Sequence, residues 1–210
     1  CASQGSCDVN VHWHDDAAQG KIITVTFASL SYSLTATLRF DANTRASEVR
    51  LYGNRSTVLR TSEGSSLLTM LPGAPPVALH GITLHGRLEI RAGWLELDKC
   101  VLEDSHGAFD GGALLLLGGV VQARNTSFLR NEAEGNGGAV NVDGGDAVFE
   151  ECLLEGNRAA GDGGALHVAS GSVELRSRTL LQGNSAAGEG DTVHVVGNGS
   201  VTYMLPAPLG

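Results

Sequence analysis

The tripeptide Gly-Gly-Ala occurs at 111–113, 137–139 and 163–165, and the starts are separated by the same 26 residues both times (137 less 111, 163 less 137). A fixed period of this length marks a chain of stacked, near-identical units rather than one layered core. Gly190-Asp191-Thr192-Val193 continues the series after a one-residue insertion, and a degenerate earlier copy places Gly86 in the column of Gly112. A second marker runs in step: Phe128-x-x-Asn131, Leu154-x-x-Asn157 and Leu181-x-x-Asn184, with Leu102-x-x-Ser105 as a weaker first copy. Each Asn stands six residues before its glycine turn (131 to 137, 157 to 163, 184 to 190).

Behind each turn, apolar residues alternate as Leu114/Leu116, Val140/Val142, Leu166/Val168 and Val193/Val195, the period of two that belongs to a half-buried strand. Further strand segments at Val120 to Ala123, Ala147 to Phe149 and Val173 to Leu175, and at the Phe or Leu before each Asn, bring the unit to about three short strands. Glycine supplies 29 of 210 residues and charged residues only 18%, which excludes a coiled coil or helical bundle, while 42% hydrophobic content excludes disorder. A short unit with three strands cannot pair them internally, so each strand must bond to its counterpart one unit on, about 4.8 Å away. The expected fold is all-β, a single parallel β-helix of about 26 residues per coil. Residues 1–20 then form an N-terminal segment that caps the open end, 21–79 irregular opening coils, 80–201 the regular repeats and 202–210 an exit linker, since Pro206 and Pro208 cannot donate to a ladder.

The pairing of Phe/Leu-x-x-Asn with Gly-Gly-Ala-hydrophobic resembles the repeats of polymorphic outer membrane proteins and, more broadly, right-handed β-helices of the pectin-lyase-like superfamily. Residues 80–201 carry the likeness, helped by the strand and turn Gly81-Ile82-Thr83-Leu84-His85-Gly86. The resemblance implies a right-handed, noncatalytic segment of a larger secreted or cell-surface polypeptide with flanking domains, acting as a rigid scaffold and a surface for protein or carbohydrate ligands. It also implies two alternatives: a polysaccharide lyase or glycoside hydrolase of that fold, and an autotransporter-type adhesin passenger. Enzymes of the fold use a basic residue beside calcium-holding carboxylates, or paired carboxylic acids, and neither set stands out here. His106 and Asp104 beside Asp110, then Arg124, Arg130 and Asp162, are the nearest groups to an acid–base cluster. No catalytic or cofactor-binding residue is assigned.

Net charge is −9, and the only lysines, Lys21 and Lys99, lie far apart, so nucleic acid is not an expected partner. The longest apolar stretch, Ala113 to Val121, is broken by Gly118 and Gly119 and is far short of the roughly 20 residues of a membrane helix. A start at Cys1 reads as a mature form or an excised piece. Three Asn-x-Ser/Thr sequons, at Asn54, Asn125 and Asn198, are glycan acceptors in a secreted eukaryotic protein, and together with the repeats they point to an extracellular or cell-surface location.

Stacking turns sequence positions into columns. Asn131, Asn157 and Asn184 fit an internal amide ladder. Cys100 and Cys152 are two periods apart with Thr126 between them, about 9.6 Å by strand spacing, so they are expected to be free, buried thiols, leaving Cys1 and Cys7 to pair. Asp110, Asn136, Asp162 and Glu189, before the glycines, form an oxygen-rich column of the type that ligates Ca²⁺ or, equally, of ordinary turn residues. On the strand behind, alternation points Leu115, Asn141, His167 and His194 outward, which makes His167 and His194 adjacent and a pair of zinc ligands without an evident third. His12 and His14, beside Asp15 and Asp16, are another metal-capable pair. Ala113, Ala139 and Ala165 are expected on the outer face.

Overall fold

The computed structural model describes residues 9–16, 20–27, 31–34, 36–54, 56–62 and 65–204. These residues form strands and turns with no helix, wound into a right-handed type of parallel β-solenoid with about seven turns. One face stacks Gly20–Phe27, Glu48–Tyr52, Val77–His80, Trp94–Asp98, Val120–Arg124, Asp146–Glu150 and the second halves of Leu166–Arg176 and Val193–Met204. A second stacks Leu38–Phe40, Ser66–Met70, Arg87–Ile90, Leu114–Leu116, Val140–Val142 and the first halves of the same two long strands. The third runs through Ser31–Ser33, Val58–Arg60, Thr83–His85, Val101–Glu103, Ser127–Leu129, Leu153–Glu155 and Leu180–Gln182. A ladder of two-residue strands, starting at His106, Glu132, Arg158 and Ser185, links the third face to the second.

The register follows the repeat. Leu114 pairs with Leu88 on one side and Val140 on the other, Val140 with Leu166 and Leu166 with Val193, all parallel. Those steps are 26, 26, 26 and 27 residues. In the opening coils the step instead varies: Leu38 to Leu68 is 30, Leu68 to Leu88 is 20, and Val77 to Leu95 is 18. The short steps have a simple cause. Gly86 alone joins Thr83–His85 to Arg87–Ile90, whereas later coils place the two-residue strand and the glycine turn at that corner. The first strand, Val9–Asp16, pairs antiparallel with Gly20–Phe27 and thereby covers an edge that would otherwise present unpaired amides. At the far end, Glu174, Leu175 and Arg176 pair with Thr202, Tyr203 and Met204, so the ladder runs past residue 201 and 202–204 are strand rather than linker.

Two columns of left-handed residues turn the corners. Lys99, Asn125, Glu151 and Ser177 have φ of 54°, 47°, 53° and 40°, and Asp104, Arg130, Gly156 and Gly183 have 49°, 51°, 65° and 62°. Each non-glycine member costs about 1–2 kcal/mol of backbone strain, and each reverses the alternation so that the next residue points inward. After the first column come Cys100, Thr126 and Cys152, and after the second Ser105, Asn131, Asn157 and Asn184, all of them buried. The Cys100 thiol donates to the carbonyls of Leu79 and Asp98 and the Cys152 thiol to those of Ala123 and Glu150; neither is in a disulfide. Burial pushes both up to about 11. Cys1 and Cys7 lie outside the described residues.

The asparagines form a continuous chain. Asn131 Nδ2 donates to Asn157 Oδ1 at 3.0 Å and to Leu102 O at 3.0 Å; Asn157 Nδ2 donates to Asn184 Oδ1 at 2.9 Å and to Phe128 O at 3.0 Å. The same Oδ1 atoms accept the backbone N–H of the residue one coil below, so the amides are satisfied on every side.

The glycine pair is dictated by backbone crowding. A side chain at Gly137, where φ is +66°, would sit 2.2 Å from Val140 O, and one at Gly138 would sit 2.2 Å from Gly164 O in the next coil. Gly164 is tight against Asp191 O in the same way, but no described coil lies beyond Asp191, which is why a side chain fits there. Ala113, Ala139 and Ala165 are fully buried, not on the outer face. Each precedes its strand, at the corner, where alternation has not begun, and small side chains are what this tight turn admits. The remaining core is columns of Leu, Val and Ile with Phe128 and Phe149 edge to face at 5.6 Å.

Candidate functional site

The oxygen-rich column before the glycines is bound into the backbone. Asp110 Oδ1 accepts the Asn136 N–H at 2.6 Å, Asn136 Oδ1 the Asp162 N–H at 2.8 Å, and Asp162 Oδ1 the Glu189 N–H at 2.6 Å. One oxygen of each side chain thus ties its coil to the next, and Asp110, Asn136, Asp162 and Glu189 run along the solenoid axis instead of converging on one point.

The strand behind is not solvent-facing, contrary to the reading from alternation. Asn141 is fully buried and His167 is 6% exposed, while Leu115 and His194 are half-buried. The glycine turns fold back over this face: a Cβ on Gly163 would stand 3.1 Å from His167 Cα, and one on Gly190 would stand 2.9 Å from His194 Cβ. Alternation gives the direction of a side chain from the sheet and cannot tell whether a preceding turn lies on top of it.

That covering brings the two columns together. Asp162 from the turn, with His167 and His194 from adjacent strands, places one ligating atom of each within 4.8 Å of the others. His194 Nδ1 is 3.4 Å from Asp162 Oδ2, and His194 Nε2 is 3.4 Å from Glu189 Oε2. The rings of His167 and His194 are 5.5 Å apart and tilted by 40°. His167 Nδ1 contacts Asn141 Oδ1 at 2.7 Å; since Oδ1 only accepts, Nδ1 carries the proton and Nε2 keeps its lone pair. Burial, then the neighbouring His194, hold His167 below the usual histidine range, partly countered by Asp143, Asp110 and Asp162. The third partner for the histidine pair has a signal in the sequence, since Asp162 precedes His167 by five residues and Glu189 precedes His194 by five, whereas the earlier coils have Asp110 with Leu115 and Asn136 with Asn141.

The other acid–base groups are separated. Asp104 takes Arg130 Nε at 2.9 Å, Glu103 takes Arg130 Nη2 at 2.9 Å, and Arg124 pairs with Glu150 at 3.3 Å. His106 faces Glu132 at 3.2 Å, beside a shallow concavity that includes Arg158, and does not join Asp104. A second cluster of three ligand types, His85, Glu103 and Asp104, has both carboxylates engaged by Arg130. His12, His14, Asp15 and Asp16 lie on the first strand, in register with Thr24, Ile22, Lys21 and Gly20, and their side chains are outside the described residues. Asn54, Asn125 and Asn198 are all exposed, but Thr126, which completes the middle sequon, is fully buried and donates to the carbonyls of Arg124 and Leu97. No helix among the described residues is long and apolar enough to cross a membrane.

Compared with known families, residues 151–169 match the Chlamydia polymorphic membrane protein (Chlamydia_PMP) repeat. The match covers one coil, from the corner residue Glu151 through Asn157 and the glycine turn to the His167 strand, so it is to this repeat that the coil is similar. No curated protein and no solved structure matches the chain.

Proposed function

We propose that this chain is a noncatalytic solenoid segment of a larger cell-surface protein, of the kind an autotransporter exports as its passenger, serving as a rigid spacer that offers its long faces to protein or carbohydrate ligands. The observation that carries this reading is the axial continuity of bonding. Three parallel strand ladders, the Asn131–Asn157–Asn184 chain and the Asp110–Asn136–Asp162 chain all run along one axis without a break. Such a stack gains length with each coil while every coil needs only its neighbours for its core. The similarity of residues 151–169 to a polymorphic membrane protein repeat supports the surface location. The outer faces support binding rather than catalysis, because their charged residues are neutralised in pairs such as Arg124–Glu150 and Arg130–Asp104.

Two measurements test it. Protease or biotin applied to intact cells that make the parent protein should reach this segment. Incubation with uronate and neutral polysaccharides should release neither unsaturated products nor reducing ends. A segment shielded from the medium would contradict the surface reading, and turnover abolished by a single substitution would establish the lyase or hydrolase reading in its place.

A further inference from the structure

We propose that Asp162, His167 and His194 form a binding site for one divalent transition-metal ion of the zinc type, joining the last two described coils. Four observations carry it.

First, the donor set is right. Two imidazole nitrogens and one carboxylate oxygen are the ligands that zinc-like ions take in three-ligand sites, whereas Ca²⁺ seeks six to eight oxygens. Second, the spacing fits. At metal–ligand distances of about 2.0–2.1 Å, tetrahedral ligands stand about 3.3 Å apart; His194 Nδ1 and Asp162 Oδ2 are 3.4 Å apart, with the His167 donor within 4.8 Å of both.

Third, each imidazole has the outer partner that a ligating histidine uses to fix its ring and tautomer. His167 Nδ1–H donates to Asn141 Oδ1 at 2.7 Å, and His194 Nε2 lies 3.4 Å from Glu189 Oε2. Asp162 is anchored likewise, its Oδ1 held by the Glu189 N–H, leaving Oδ2 toward the histidines. Fourth, the buried side-chain nitrogens that lack a hydrogen bond among the described residues are His194 Nδ1 and Asn141 Nδ2, both of this cluster. A buried polar atom without a partner calls for an explanation, and a cation between Nδ1 and Oδ2 supplies one for His194. The neighbouring cluster of His85, Glu103 and Asp104 shows the contrast, since there Arg130 already provides the positive charge.

The simpler account is an ion pair between protonated His194 and Asp162, with no metal, and the test separates the two. The untagged full chain, stripped with a chelator, is titrated with ZnCl₂ and separately with CoCl₂. The expected results are one Zn²⁺ per chain by calorimetry, a higher melting temperature, visible absorption typical of tetrahedral Co²⁺ that Zn²⁺ displaces, and no response to CaCl₂. His194→Gln and Asp162→Asn should each weaken Zn²⁺ binding at least tenfold while keeping the β-sheet circular dichroism of the stripped parent. Should a variant unfold, the Co²⁺ spectrum of the parent decides alone. Absence of that spectrum, or Zn²⁺ binding that both variants leave intact, overturns the proposal. The outcome is independent of whether the segment is a surface spacer, since neither location nor stiffness enters the readout.

Discussion

Replacing Asn157 by alanine removes the central link of the amide chain, and its cost can be worked out bond by bond. The side chain makes four buried hydrogen bonds: Nδ2 to Asn184 Oδ1 at 2.9 Å and to Phe128 O at 3.0 Å, and Oδ1 from the Asn131 N–H at 2.9 Å and from Asn131 Nδ2 at 3.0 Å. Alanine strands unequal groups. Asn184 Oδ1 still accepts the backbone N–H of residue 157, and Asn131 Nδ2 still donates to Leu102 O. The Asn131 N–H loses its side-chain partner outright, and Phe128 O and one hydrogen of Asn131 Nδ2 lose theirs, in a site with no solvent exposure. With about 1–3 kcal/mol per unsatisfied buried group, two to three such groups give a loss of about 3–6 kcal/mol. That is a large part of the 5–15 kcal/mol typical of a folded domain. Urea unfolding followed by circular dichroism measures the shift directly. The Arg124→Ala variant serves as control, because it removes an exposed ion pair at 3.3 Å and should cost under about 1 kcal/mol. A loss for Asn157→Ala no greater than that of the control would refute the claim that the amide chain ties the coils together.

Gly138→Ala should prevent folding or lower the melting temperature by well over 10 °C, because the added carbon would stand 2.2 Å from Gly164 O and 2.5 Å from Arg158 C, both backbone; a soluble variant with parental melting would contradict the stacking. Asp191→Gly, by contrast, should change stability little in the same melting assay, as no described coil crowds that position. Cys100 and Cys152 should resist thiol reagents in the native protein and react after denaturation, as mapped by mass spectrometry. Their pKa near 11 in the fold lies above the unfolded value of about 8.5, so the stability they contribute is fully present below about pH 8.5 and is lost as pH rises toward 11. A Cys100→Ala/Cys152→Ala variant should therefore show a flatter decline of urea midpoint over that range, and an unchanged slope would count against it.

The regular coils are legible because backbone crowding writes itself into the sequence: only glycine fits where Gly138 meets Gly164 O, and only a short amide both donates and accepts along the axis, as Asn157 does. The opening coils are harder to read because their steps of 30, 20 and 18 residues keep the strands but dispense with the corner that carries both markers. The left-handed corner at Lys99, Asn125, Glu151 and Ser177 leaves no signature, since four different side chains accept the same positive φ. For the site, column arithmetic places His167 beside His194 correctly, while Asp162 joins them only because the glycine turn folds over the strand, a relation between columns rather than within one. The same folding buries Ala113, Ala139 and Ala165, which a period of two alone would turn outward.

The most direct test of a stiff stack in this register is pulsed electron resonance between pairs of spin labels along one outer column. Tyr52, His80, Asp98, Arg124, Glu150 and Arg176 pair in succession on one face. With one label fixed at Arg176 and the other at Asp98, His80 or Tyr52, and with Cys1 and Cys7 changed to serine, the pairs are three, four and five strand spacings apart, about 14, 19 and 24 Å at 4.8 Å each. The account predicts mean distances that grow by about 5 Å per coil, apart from a constant tether contribution, with distributions only a few ångström wide. Distances that fail to grow in order, or distributions spread over tens of ångström, would contradict it.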